Sequence, residues 1–329
     1  MHKMKQLTRS LVLALLTSFL IIPASVNADG RQIALGISQI DDQNLAAVEA
    51  NRAAVGRYPA IWTVWSDWGG GDKDFPSGFI GSLRGLGITP MVNWQPIAPE
   101  SVADCSLWSL DTIINGNHDA YIREWAMAAA ASGGTVLVRL MHEMNGYWFI
   151  WGWSRCTNTP EKFKQAWIHV WNIFRDVGAT NVKFVWSIYG AFKLAEHYPG
   201  DQYVDYIGFT AFNWGPPTHK WSNDMLKHFK SPIKAIRRQV SKTKPMIAAE
   251  MGSAVAPANC RICDKAKYIR NGYPKVWRKW ANLVAIVYFD IDMTALNVSQ
   301  PNWRLDSPPS ALASYAQIAA MPQFQGRIP

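Results

Sequence analysis

Short runs of Val, Ile and aromatic residues recur along this chain, and most are followed by a segment whose apolar positions return every three or four residues. The first pattern is that of buried strands, the second that of amphipathic helices lying over them. In order, strands are expected at Gln32–Ser38, Ala60–Ser66, Thr89–Trp94, Thr135–His142, Lys183–Ser187, Tyr206–Phe212, Met246–Glu250 and Ala285–Asp290. Helices are expected at Gln43–Val55, Pro76–Leu86, Ala120–Ala131, Pro160–Val177, Asp224–Val240, Asp264–Trp280 and Ser310–Ala320, with the weakest helical pattern at Ala191–Asp201. Strands alternating with helices imply parallel pairing, because parallel neighbours need crossover connections. Eight such units favour closure into an α/β (β/α)8 TIM barrel, a fold that typically takes about 250 residues.

No linker or low-complexity run divides the chain, so a single domain is expected over residues 29–329. Residues 1–28 read differently. A basic start (Lys3, Lys5, Arg9), an apolar run from Leu11 to Ile22 and a small-residue exit at Val26-Asn27-Ala28 have the form of a secretory signal peptide cut after Ala28. The apolar run is short of the roughly 20 residues that a spanning helix needs. A secreted or periplasmic protein with no membrane partner is therefore expected, acting as a monomer.

Charge and cysteines narrow the picture. The formal charge of +9 includes the three basic residues of the leader, leaving a modest excess with no contiguous Lys/Arg block. That argues against a nucleic-acid partner. Export favours disulfides among Cys105, Cys156, Cys260 and Cys263, which allow three pairings; Cys105–Cys156 with Cys260–Cys263 is the favoured one. The Cys260-Arg-Ile-Cys263 spacing lacks both the βαβ context of a redox motif and the second pair of a zinc site.

Several expected strands end on polar or aromatic residues: Asp67-Trp68, Trp94-Gln95, His142-Glu143, Asn213-Trp214, Glu250 and Asp290. In a (β/α)8 barrel these ends meet at one face, where catalytic loops gather. Glu143 and Glu250 stand at the ends of the fourth and seventh strands, and paired carboxylates are the apparatus of glycoside hydrolysis. His142-Glu143 begins like a metalloprotease HExxH, but position 146 is Gly. No G-x-S-x-G elbow appears, and Gly69-Gly70-Gly71 lacks the ending of a phosphate loop. No metal and no cofactor are expected.

Seventeen Trp are the strongest compositional signal, since an indole can stack on a sugar ring while its N–H donates to a hydroxyl. Trp62, Trp65, Trp68, Trp94, Trp148, Trp151, Trp153 and Trp214 lie at or beyond strand ends, with Trp94, Trp148 and Trp214 the leading candidates for sugar stacking. Trp125, Trp167, Trp171, Trp277 and Trp280 fall at helical positions and read as core.

The motifs together resemble glycoside hydrolase family 26, a family of retaining (β/α)8 glycosidases. Arg139-Leu-Met-His-Glu-Met-Asn-Gly-Tyr-Trp-Phe-Ile-Trp-Gly looks like that family's acid/base signature. Trp65-Ser-Asp-Trp68, Pro90-Met-Val-Asn-Trp-Gln-Pro96 and Asp205-Tyr-Ile-Gly-Phe-Thr-Ala-Phe-Asn-Trp-Gly215 look like its second, third and sixth strand ends. The resemblance implies Glu143 as acid/base, Glu250 as nucleophile, His142 beside the proximal sugar and Trp148 as a stacking platform. Arg139, Trp68, Trp94, Asn145, Trp151, Asn213, Trp214, Tyr288 and Asp290 complete the expected substrate-contacting set. It also implies a secreted endo-acting enzyme on a β-linked polysaccharide, β-1,4-mannan first and mixed-linkage β-glucan next. Phe212 stands where many relatives carry a Tyr that bonds the nucleophile, so Asn213 or Arg139 is expected to compensate. That departure makes a catalytically weak sugar-binding protein the second reading.

Overall fold

The computed structural model describes residues 30–328 apart from 41, 72, 217, 218, 256–259, 297 and 299. The leader expected over residues 1–28 lies outside the described residues. Eight strands pair in chain order, all parallel: β1 (Ala34–Ser38), β2 (Ile61–Asp67), β3 (Thr89–Gln95), β4 (Val136–Leu140), β5 (Val182–Ile188), β6 (Tyr206–Asn213), β7 (Met246–Ser253) and β8 (Leu283–Phe289). The barrel closes where β8 pairs with β1, from Ala34 opposite Ala285 to Ser38 opposite Phe289. The helices are α1 (Leu45–Val55), α2 (Ser77–Gly85), α3 (Cys105–Trp108), α4 (Leu110–Ile114), α5 (Asp119–Ala131), α6 (Pro160–Asp176), α7 (Leu194–His197), α8 (Leu226–Gln239), α9 (Lys265–Lys279) and α10 (Pro309–Ala320). The fifth connection, weakest in helical pattern, holds only the single turn of α7 and a short 3-10 segment.

Alternation along each strand divides the apolar residues into two sets. Ile61, Met91, Leu137, Val185, Ile247 and Val287 fill the barrel itself. Their neighbours Val92, Val138, Phe184, Ala248 and Ile286 face outward and pack under the helices. Each helix covers this outer layer with one apolar stripe. In α6, Phe163, Ala166, Trp167, Val170, Ile173 and Phe174 are buried at helical spacing, and the helix starts on Thr159, whose hydroxyl accepts from the Lys162 backbone N–H, with Pro160 at its first position. Among the described residues no helix is long and apolar enough to cross a membrane.

The loops above β3 and β4 are tied together. Cys105 opens α3 and bonds Cys156 in the loop after β4, their Cα atoms 5.3 Å apart, while Cys260 and Cys263 form a local bridge before α9. Both favoured pairings are present. The first bridge spans 51 residues and the second only 3, so their effects on the unfolded chain differ. Replacing Cys105 and Cys156 together by Ser should lower the unfolding free energy by roughly 2–4 kcal/mol. Replacing Cys260 and Cys263 should cost clearly less, and urea unfolding of the two double variants measures the difference.

Candidate active site

Glu250 owes its position to an irregularity in β7. Ile247 points into the barrel, Ala248 outward and Ala249 inward, so strict alternation would turn Glu250 outward into the helix layer. The register instead slips: Ala248 pairs with Phe209 while Glu250 pairs with Thr210, leaving Ala249 as an extra residue. A bulge of this kind re-aims the side chain that follows it. Glu250 thus faces the barrel mouth, and Met251 resumes the outward set. The strand does not end at Glu250, as its sequence suggested, but runs on to Ser253.

Inside the mouth the Glu250 carboxylate meets Arg139 from β4, with Nη1 2.5 Å from Oε1. Arg139 is wholly buried and also donates to Asn93 Oδ1 at 3.3 Å, its register partner on β3. A carboxylate so enclosed would be costly without a cation. Of the two residues expected to compensate for Phe212, Arg139 is the one that bonds Glu250, and it is wholly buried. Asn213 does not share the task. Its amide donates to the Ser222 carbonyl and Ser253 Oγ, both at 3.0 Å, and fixes the loop after β6.

Glu143 stands on the loop after β4, where the chain makes an uncommon turn. Met141 and Glu143 have φ of 43° and 54°, a left-handed conformation that costs non-glycine residues on the order of 1 kcal/mol each. The Glu143 N–H is held by the Ser187 carbonyl at 2.8 Å, and its carboxyl accepts from Thr210 Oγ1 at 2.5 Å and Trp148 Nε1 at 3.0 Å. Trp148 reaches back over Glu143 because residue 146 is glycine: a Cβ there would sit 2.4 Å from the indole ring. Thr210 links the two carboxyls, since it bonds Glu143 and is the strand partner of Glu250. Burial, then the negative charge of Glu250, pushes the Glu143 carboxyl up to about 7, against smaller opposing effects of Arg139, Thr210 and Trp148. His142 is held far below its ordinary value by burial and by the Arg139 charge, so it is a neutral imidazole. Its Nδ1 finds no partner among the described residues.

These groups open into a cleft of about 450 Å³. His142, Glu143, Glu250, Trp148 and Trp214 line it as expected, together with Trp65 from the strand-end set. Three further expected platforms do not. Trp94 is wholly buried, its ring stacked on Trp125 at 4.4 Å between barrel and helices; Trp68 packs against Trp94 at 4.8 Å; Trp151 lies behind His142 and donates to its carbonyl. Trp94 follows the inward Asn93, and alternation turns it to the outside of the barrel. Asn145 is a loop fastener, bonded to the backbone of Tyr189 and Phe192. Tyr288 points outward into the helix layer, fully buried. Asp290 lines a separate cavity of about 580 Å³ beside α1, where it accepts from Gln39 and the Leu305 N–H.

Sequence reasoning missed Thr210, Asn93, Tyr189 and Phe149, which hold or border the two carboxyls, as well as Met293 and Gln300 in the loop after β8. Thr210 and Asn93 had one available signal, a polar residue inside an otherwise apolar strand. Phe212 forms an apolar wall, packed on Trp303 at 4.5 Å and edge-on to Phe289.

A family model described as Glycosyl hydrolase family 26 matches residues 103–282. Endoglucanase H of Acetivibrio thermocellus is 33% identical over 236 residues, covering 69% of this chain and 24% of that protein. Mannan endo-1,4-beta-mannosidase A and B of Caldalkalibacillus mannanilyticus is 27% identical over 46% of this chain and 29% of its own length. This chain thus spans about a quarter of the length of these two relatives. Among solved structures, a family 26 beta-mannanase from Bacteroides ovatus superposes with a TM-score of 0.65 at 17% identity, covering 89% of this chain and 90% of that one. It shares the fold.

The raised Glu143 carboxyl has a consequence for stability. Below its ordinary value of 4.5 it is protonated in both folded and unfolded chains and costs nothing. As pH rises, the unfolded chain ionises first, so the folded state loses stability until the folded carboxyl itself ionises near 7. Glu143→Gln removes that loss. The variant should be more stable than the parent by roughly 1–3 kcal/mol at pH 8 and nearly equal to it at pH 4, measured by denaturant unfolding at both values.

Proposed function

This chain belongs to glycosyl hydrolase family 26, and on that footing we propose that it is an exported retaining endo-β-glycosidase, with β-1,4-mannan as its first substrate. The observation that carries the reading is the division of the two carboxyls in one aromatic cleft. Glu250 is paired with a buried Arg139, while Glu143 is pushed up to about 7 and so retains a proton near neutrality. In this reading Glu143 protonates the glycosidic oxygen and Glu250 attacks the anomeric carbon, forming a covalent glycosyl-enzyme. Glu143, now ionised, then takes a proton from the water that releases the sugar. Retention requires carboxyl groups about 5–5.5 Å apart. Thr210, which bonds one carboxyl and pairs in register with the other, supports that closeness. Trp148, Trp65 and Trp214 offer faces for the sugars, and the neutral His142 offers Nδ1 to a hydroxyl.

The names of the relatives favour two substrates. Mannan is named by the Caldalkalibacillus relative, and the 33% identical relative is named an endoglucanase, which favours β-glucan as the second reading. The basic, apolar and small-residue pattern of residues 1–28 and the two disulfides support export.

Glu250→Ala should reduce hydrolysis of β-mannan and mixed-linkage β-glucan by at least about 10⁴-fold while leaving polysaccharide binding in place, because the aromatic faces remain. Glu143→Ala should retain glycosylation by aryl glycosides with good leaving groups, with azide restoring turnover and giving the β-glycosyl azide. In the parent, kcat/KM should fall as pH rises through about 7, where Glu143 loses its proton. A parent that binds β-glycans and releases no reducing sugar from any of them would instead establish the sugar-binding reading opened by Phe212.

A further inference from the structure

The modest overall charge conceals a steep asymmetry. Between Leu226 and Asn282 the chain holds fourteen Lys and Arg against two acidic residues, Glu250 in the barrel mouth and Asp264 capping α9. The remainder after residue 28 holds sixteen basic and twenty-two acidic residues, so it is acidic. The basic excess falls on α8 and α9, which pack side by side on the barrel. Neither helix contains an acidic residue.

The helical period collects these charges. Lys227, Lys230, Lys234, Arg237 and Arg238 fall within an arc of about 100° along a stripe about 16 Å long on α8, and all five are exposed. On α9, Lys267, Arg270, Lys275, Arg278 and Lys279 are exposed beside it. Among the described residues none of these ten forms an ion pair with a carboxylate. Like charges gathered without counter-charges repel one another, and an anionic partner relieves that repulsion. The opposite faces of both helices are buried against the barrel through Phe229, Ile233, Ile236, Tyr268, Ile269 and Val276. The stripe is therefore held rigidly on the outer wall of the barrel, apart from the residues that line the cleft.

We propose that the α8–α9 face is a docking surface for a polyanionic polysaccharide, a chain carrying carboxylates along its length, and that it holds the protein on such a polymer while the cleft remains open. The chemistry of the face favours this partner over other polyanions. No exposed Trp, Tyr or Phe lies on either helix to stack on bases, and no exposed large apolar side chain of α8 or α9 is available to enter a lipid surface. Recognition by charge alone suits a hydrated linear polymer, and it should weaken steeply with salt.

The test uses the whole chain and polygalacturonate as probe. The parent should bind, with affinity falling about tenfold between 50 and 200 mM salt. The triple variant Lys230→Glu, Lys234→Glu, Arg237→Glu should lose at least about tenfold in affinity at the lower salt. A control triple on other faces, Lys73→Glu, Arg123→Glu, Arg155→Glu, has the same net charge and should lose less than about twofold. The α8 triple should hydrolyse a soluble oligosaccharide at the parent's rate, so a failure of docking is distinguishable from a failure of catalysis. If the α8 triple does not fold by circular dichroism, Lys267→Glu, Arg270→Glu, Lys275→Glu on α9 should give the same loss. Equal loss in the control, no binding by the parent, or tighter binding to duplex DNA or anionic vesicles than to polygalacturonate at equal salt would each overturn the proposal.

Discussion

The site depends on one buried ion pair. Arg139 and Glu250 meet inside the barrel mouth, where either charge alone would be strongly unfavourable and the two together offset much of that cost. The pair sets the state of the neighbouring Glu143. Negative charge on Glu250 adds to burial in keeping the proton on Glu143, so the environment alone sets this carboxyl apart from an ordinary glutamate. Asn93 and Thr210, the polar register partners of Arg139 and Glu250 on adjacent strands, orient the two ends of this arrangement.

Backbone irregularities deliver the two carboxyls to one place. The extra residue in β7 brings Glu250 inward, and the left-handed turn after β4 brings Glu143 over the mouth. Both depart from regular strand geometry at the catalytic face, whereas the apolar layers below are regular. The rigid layers oppose relaxation of the strained turn, and the Cys105–Cys156 bridge fastens the loops above it. The abundance of Trp divides accordingly: Trp94, Trp125, Trp167 and Trp186 fill the space between barrel and helices, while Trp65, Trp148 and Trp214 face the cleft.

Charge is organised at a larger scale as well. The cleft is an apolar and neutral-imidazole environment around one compensated carboxylate, and the concentrated positive charge lies along the barrel wall on α8 and α9. No residue of α8 or α9 lines the cleft, and the field of exposed charges is screened over about 10 Å of salt solution.

The sequence by itself determined where the eight strands and the long covering helices lie and the closure they imply, though not the short helices α3 and α4, because burial on both sides of each parallel strand leaves a continuous apolar run and each covering helix a periodic one. It also placed Glu143, Glu250, His142, Trp148 and Trp214 at the catalytic end, since polar and aromatic residues that interrupt such runs must reach the mouth or find partners. It did not separate Trp94 and Tyr288, which face the helices, from Trp65, which faces the cleft: side-chain direction alternates, and a shift of one residue reverses it. Nor did it reveal that Glu250 turns inward, because the bulge at Ala249 exists only as a pairing between β6 and β7. The roles of Arg139, Asn213 and Asp290 were likewise decided by tertiary contacts. Each is polar near a strand end, and only the packing of distant segments determines whether such a group meets a carboxylate, a loop backbone or a second cavity.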